Sequence, residues 1–126
     1  MKGIKAKRVI FKISNLWESP PLHILVIREN GVIVARCLDF TVSSHGEDEK
    51  DALKALADSI KEYVLTAVEH DVTDIIFDPA PGKYWRMYNE LEASQSFKSL
   101  NISIKKLLTS VTNDNFKQST IEISYA

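Results

Sequence analysis

Three histidines, His23, His45 and His70, and one cysteine, Cys37, are the residues of this 126-residue chain best suited to metal ligation or nucleophilic attack. No two histidines stand in a His-x-x-x-His spacing, so a zinc site built on them needs carboxylates recruited from across the fold. The plain reading places His23 on an edge strand and His45 and His70 in a solvated loop or helix end. Cys37 closes an apolar run and reads as a small buried hydrophobe, with no His–Asp pair at a recognisable spacing to activate it. Among the carboxylates, Asp39, Glu62, Asp74 and Asp78 fall near strand ends or on a helix. Two-metal phosphodiester hydrolysis needs three or four such acids converging within a few ångströms. Glu62, however, falls on the solvent side of its helix, and Asp74 and Asp78 match strand-end and X-Pro turn chemistry. No catalytic, metal-binding or cofactor-binding residue is assigned, and a non-enzymatic protein is expected.

The segment Lys83-Tyr84-Trp85-Arg86-Met87-Tyr88 interleaves aromatic and basic side chains, as surfaces that bind single-stranded nucleic acid do. Tyr84, Met87, Tyr88 and Leu91 share one helical face and read as core, which leaves Trp85 and Arg86 as the exposed pair and as candidate anchors for a protein partner.

Charge is distributed unevenly behind a net value of −1. Residues 1–46 carry seven Lys and Arg against three acids, residues 47–92 five against twelve, and residues 93–126 four against two. An acidic centre between basic ends is not the footprint of a nucleic-acid binder, which clusters its cations on one element. It suits encounter with a basic partner, and Asp58 and Glu62 are its candidate contacts. The cations of the N-terminal arm, Lys2, Lys5, Lys7, Arg8 and Lys12, keep open an alternative, a nucleic-acid-binding module that uses this arm with Trp85 and Arg86. Hydrophobic residues make up 44% and charged residues 26%, which excludes a disordered chain, and no apolar run reaches the ~18 residues of a membrane span. With one cysteine and no signal-like apolar stretch after the basic start, a cytoplasmic protein is expected.

The elements that must position these residues follow from periodicity. Lys7–Ile13 alternates as a strand, and Pro20-Pro21 imposes an extended connection. His23–Arg28 and Val32–Cys37 are β-branched runs around Asn30-Gly31, the signature of a tight hairpin. Asp39–Gly46 reads as a polar, strand-breaking loop. Asp48 caps a helix over 49–69, with Leu53, Leu56, Ile60, Tyr63, Val64 and Ala67 on its buried face and Lys54, Asp58, Lys61 and Glu62 opposite. A short strand over 73–77, a short helix over 83–93, strands over 99–105 and 119–125, and a turn at 112–115 complete the reading.

The stretch 22–81 resembles the N-terminal domain of the HicB antitoxin family. The resemblance rests on the hairpin Leu22–Cys37, the loop Leu38-Asp39-Phe40, the glycine followed by acids in His45-Gly46-Glu47-Asp48, the helix with Ala52-Leu53 and Tyr63-Val64-Leu65, and the tail Asp78-Pro79-Ala80-Pro81. It implies an α+β fold, an antiparallel sheet with one long amphipathic helix packed across it, regarded as a degraded relative of ribonuclease H. Here that domain, 1–126 with its core at 22–81, is extended by an N-terminal arm, 1–21, that adds a strand and by C-terminal strands in 82–126. The resemblance also implies a type II toxin–antitoxin antitoxin, or an orphan relative, that binds a small RNA-cleaving HicA-like toxin, and a homo-oligomer is expected. Three features depart from the family pattern. Asp39-Phe40 is followed by Thr41-Val42-Ser43 where the family has a proline, the arm precedes the usual start, and the last 45 residues read as neither helix-turn-helix nor ribbon-helix-helix. Sequence-specific DNA binding is therefore not expected.

Overall fold

A computed structural model describes residues 2–71 and 78–125. The elements in order are strands β1 (Lys2–Val9), β2 (Lys12–Ile13), β3 (Trp17–Glu18), β4 (Leu22–Glu29), β5 (Val32–Cys37) and β6 (Val42–Gly46). Helices α1 (Glu49–Glu69), α2 (Gly82–Ser110) and α3 (Asn113–Gln118) follow. The chain divides into two compact units, Met1–Ala93 and Ser94–Ala126, and α2 begins in the first and ends in the second. The fold is α+β, as expected. No helix among the described residues is long and apolar enough to cross a membrane.

In the first unit, β1, β4, β5 and β6 form an antiparallel sheet in the order β1-β4-β5-β6, and β2 and β3 make a separate two-stranded ribbon. The β4–β5 hairpin forms as the sequence predicts. Glu29 pairs with Val32, and the two loop residues both have positive φ, Asn30 at 51° and Gly31 at 81°, which matches the twist of the flanking strands. Hydrophobic alternation divides the sheet between two faces. Leu22, Ile24 and Val26 of β4 and Ile33, Ala35 and Cys37 of β5 pack against Ala52, Leu56, Ile60 and Val64 of α1. Leu25 and Ile27 of β4 face the other way, into a second cluster with Ala6, Leu38, Ala80 and Tyr88, flanked by Tyr84, Trp85, Met87 and Leu91 of α2. The sheet therefore has a helix on each face, and β4, buried on both, carries the near-continuous apolar run that such a position requires.

Helix α1 spans 49–69 as predicted, and the Asp48 carboxylate accepts the Asp51 backbone N–H at 2.8 Å. Its buried line is Ala52, Leu56, Ile60, Val64 and Ala67, with Leu53 and Tyr63 at the margins, and Lys54, Asp58, Lys61 and Glu62 are exposed. Gly46 sits where β6 meets the helix. A Cβ there would lie 2.5 Å from the Ala52 nitrogen, so only glycine permits this approach.

Six expectations are corrected. The 39–46 segment is not wholly a loop: Val42–Gly46 pairs with β5 as an edge strand, its polar residues tolerated because one edge meets solvent. His23 lies on β4, which is interior between β1 and β5, not on an edge. The Lys7–Ile13 strand begins earlier, at Lys2, and breaks after Val9. The expected strand 99–105 lies within α2, and the 112–115 turn opens α3, with the Thr112 hydroxyl accepting from the Asn115 backbone N–H. Residues 119–125 are not paired in a sheet. The expected strand 73–77, including Asp74, lies outside the described residues.

Candidate functional site

The hairpin and the Asp39 corner bring together three residues that the sequence left apart. Asp39 Oδ1 accepts the His23 backbone N–H at 2.8 Å, and Oδ2 lies 3.1 Å from His23 Nδ1. Cys37 Sγ lies 4.0 Å from Oδ1. The His23 ring lies against Trp85 and Tyr88, with centroids 5.1 and 5.3 Å away. A Cys–Asp–His cluster invites comparison with a nucleophile and its base, but its chemistry points elsewhere. The carboxylate stands between thiol and imidazole, so the imidazole is not placed to take the thiol proton. Cys37 has no exposed surface, and burial pushes its pKa up to about 11, the reverse of an activated thiol. Asp39 instead secures the corner where β5 ends. Its backbone carbonyl accepts from the Asp78 N–H and that of Leu38 from the Ala80 N–H, and the Thr41 hydroxyl donates to the Asp78 carbonyl.

No group of three or more His, Cys, Asp or Glu among the described residues is arranged to hold a metal ion. Asp39 is engaged by His23, Glu62 is exposed on the outer side of α1, and Asp78 is exposed beside its proline.

The four residues proposed for partner contact separate into two pairs. Asp58 and Glu62 are both exposed on α1. Trp85 and Arg86 lie in the first turns of α2, the helix on the opposite face of the sheet. Arg86 is exposed, whereas Trp85 is half-buried against the second cluster and His23, so the expected exposed pair is reduced to one residue. Trp85 joins Tyr84, Met87 and Tyr88 in the packed layer because helix and sheet together present a broader apolar surface than one helical stripe.

The arm's cations are largely engaged within the chain. Lys7 Nζ lies 3.0 Å and Lys5 Nζ 3.5 Å from the Glu49 carboxylate, and Arg8 makes two bonds to Glu92 at 2.8 and 3.1 Å. The Lys7 hydrogen bond, aided by the charge of Lys5, holds the Glu49 carboxyl below its ordinary pKa, and the Arg8 hydrogen bond and the Tyr88 hydroxyl do so for Glu92. These pairs join β1 to the start of α1 and to α2.

A surface that sequence reading missed lies beside the acidic pair. Ile13, Leu16 and Trp17 of the β2–β3 ribbon and Val64, Leu65 and Val68 of α1 line an apolar groove with Lys61 at its rim. Leu16, Leu65 and Val68 are substantially exposed in it. The available signal was that Leu65 and Val68 are large apolar residues off the buried line of α1. Asp58 and Glu62 belong to the same exposed side of this helix as Lys61. Lys61 is the one charged residue among the described residues that line the groove, and Asp58 and Glu62 lie outside it on the same helix. A lining this apolar is the composition of a protein–protein contact surface rather than of a reaction chamber.

Comparison with protein-family models, with curated proteins and with solved structures finds no match for this chain.

Proposed function

We propose that this protein is a non-enzymatic HicB-like antitoxin, or an orphan relative, that acts by binding a small, basic, RNA-cleaving HicA-like toxin. The observation that carries the reading is the groove between the β2–β3 ribbon and α1, an apolar strip on the same helix as the exposed Asp58 and Glu62. Masking a toxin requires complementary surface and no chemistry, and acidic side chains beside an apolar centre favour a cationic partner by steering encounter and repelling acidic competitors. The order hairpin, edge strand and capped helix, with the helix laid across the sheet, also supports the resemblance. Chains that share this mode of action need no metal or cofactor, and none is proposed here.

The test is reconstitution with the product of the adjacent gene, provided that it encodes a short basic protein. The reading expects a stable complex and suppression of that protein's RNA cleavage. A toxin that cleaves RNA equally well with and without an excess of this chain contradicts it.

A further inference from the structure

On the face of the sheet turned away from α1, Val32, Val34 and Arg36 of β5 and Ser43 and His45 of β6 line an open cleft of about 350 Å³, with Glu29 at one end. Ile33, Ala35 and Cys37 pack under α1, so strand alternation turns Arg36, Val34 and Val32 to this other face. The register sets Ser43 beside Arg36, His45 beside Val34 and Glu29 beside Val32. Arg36 and Val32 are four residues apart, so a cation and an acid stand at opposite ends of a valine floor about 13 Å long. The cationic end is held in place but not neutralised. The Arg36 guanidinium lies over the Tyr84 ring, 4.2 Å from its centroid, and Lys83 Nζ lies 5.0 Å from the same centroid. The two charges are therefore no more than about 9 Å apart, within reach of the oxygens of one phosphate. Among the described residues neither cation has a carboxylate partner, and Arg36 Nε is buried with no acceptor. Lys83 and Tyr84 stand in the first turn of α2, which holds no acid, so the positive end of the helix dipole adds to both. Two like charges sharing one ring repel, and an anion between them relieves that repulsion.

From this arrangement we infer that the cleft binds a nucleoside monophosphate, with its phosphate at Arg36 and Lys83, its ring body over Val34 and Val32, and its base edge at Glu29. The ligand's chemistry follows the cleft from end to end. A phosphate dianion meets the unpaired cations, a flat body meets the valine floor, and an edge of N–H donors meets the carboxylate. Stacking on Tyr84 uses the face of the guanidinium and leaves its in-plane N–H groups to take a phosphate. Guanine fits the far end best, because its ring N–H and amino group donate together to the two oxygens of one carboxylate. Inorganic phosphate leaves the floor and Glu29 unused, and an acidic peptide sets its own carboxylates against Glu29. The volume lies within the range of sites that hold small organic ligands.

The experiment titrates guanosine monophosphate into the full chain, by calorimetry and by amide chemical shifts, beside guanosine and inorganic phosphate. It does not depend on the toxin-binding reading, so the two can fail separately. The expected result is saturable binding with Kd below about 1 mM, at least about 10-fold tighter than either fragment. Shift changes should centre on Val32–Arg36, Ser43–His45 and Lys83. Arg36→Gln and Lys83→Gln should each weaken the nucleotide by about 10-fold or more. Lys83 is exposed, so its variant keeps the fold even where Arg36→Gln disturbs Tyr84. Glu29→Ala should also weaken binding, although it removes a negative charge from the path of an anion. Lys98→Gln, in the second unit, should change nothing. The inference is overturned by an absence of saturation up to about 10 mM nucleotide, or by phosphate or guanosine binding as tightly as the nucleotide. It is also overturned by unchanged affinity in Lys83→Gln, by tighter binding in Glu29→Ala, or by an equal loss in Lys98→Gln.

Discussion

Replacing Tyr88 tests whether α2 closes the second face of the sheet. Tyr88 is 1% exposed and lies among Ala6, Leu25, Ile27 and Leu38. Its hydroxyl is 2.8 Å from Glu92 Oε2, to which it donates, and 3.3 Å from the Lys7 carbonyl oxygen. Glu92 is in turn gripped by Arg8. Tyr88→Phe removes the hydroxyl and keeps the ring. A hydrogen bond to a charged acceptor contributes about 1.5–3 kcal/mol, but the Glu92 side chain is one-third exposed and solvent screens it, so the expected loss is about 1–2 kcal/mol. Tyr88→Ala also removes a buried aromatic ring and should cost about 4–5 kcal/mol in total. Urea unfolding followed by circular dichroism reads both as lower midpoints, and the Phe variant should leave the denaturant slope unchanged. Glu92→Gln should cost clearly less in the Tyr88→Phe background than in the parent, because the pair shares one interaction. A Tyr88→Ala cost below about 1 kcal/mol would refute the two-faced sheet.

Leu56→Ala and Ile60→Ala, both at fully buried positions under α1, should each cost about 2–5 kcal/mol in the same assay, whereas Glu62→Ala should stay within about 0.5 kcal/mol. On the acid side, Glu49 and Glu92 have folded pKa values below their ordinary ones. Their stabilisation is thus present above the ordinary carboxylate range and lost as pH falls through the lowered values, and thermal melts of Glu49→Gln should be flatter there than those of the parent. On the alkaline side, burial raises Cys37 to about 11 and raises Tyr88 to about 12. Stability present at neutral pH should therefore fall as pH rises through that window, and Tyr88→Phe should lose part of this dependence.

The first unit was legible where local chemistry and tertiary demand agree. Asn30-Gly31 needs positive φ at two positions and found it, and Asp48 needs only the first turn of α1 to cap it. Legibility failed where burial depends on a distant element. His23 is polar, so its strand read as an edge, but its imidazole is satisfied by Asp39 and covered by two rings of α2. Val42-Ser43-Ser44-His45-Gly46 is polar because it is an edge strand, and a propensity reading without the sheet takes it for a loop. Leu100, Ile102 and Ile104 satisfy a period of two, whereas Leu100 and Ile104 with Phe97 and Leu107 satisfy a helical repeat that leaves Ile102 on the other side. The longer pattern determines the structure, since it fits across the whole of 97–107. Of the candidate site, Asp58 and Glu62 were read correctly as exposed, Trp85 was not, and the groove was invisible because Leu16 and Trp17 reach it only through the ribbon.

The central claim, that this chain binds a basic protein partner through the surface beside α1, is tested most directly by stopped-flow association with that partner across a range of salt concentrations. The account predicts an association rate constant that falls steeply with salt. It predicts for Asp58→Lys with Glu62→Lys a rate at least about 10-fold slower at low salt and a much flatter salt dependence, with unfolding midpoints unchanged. Equal rates and equal salt dependence for the parent and the charge-reversed protein would contradict it.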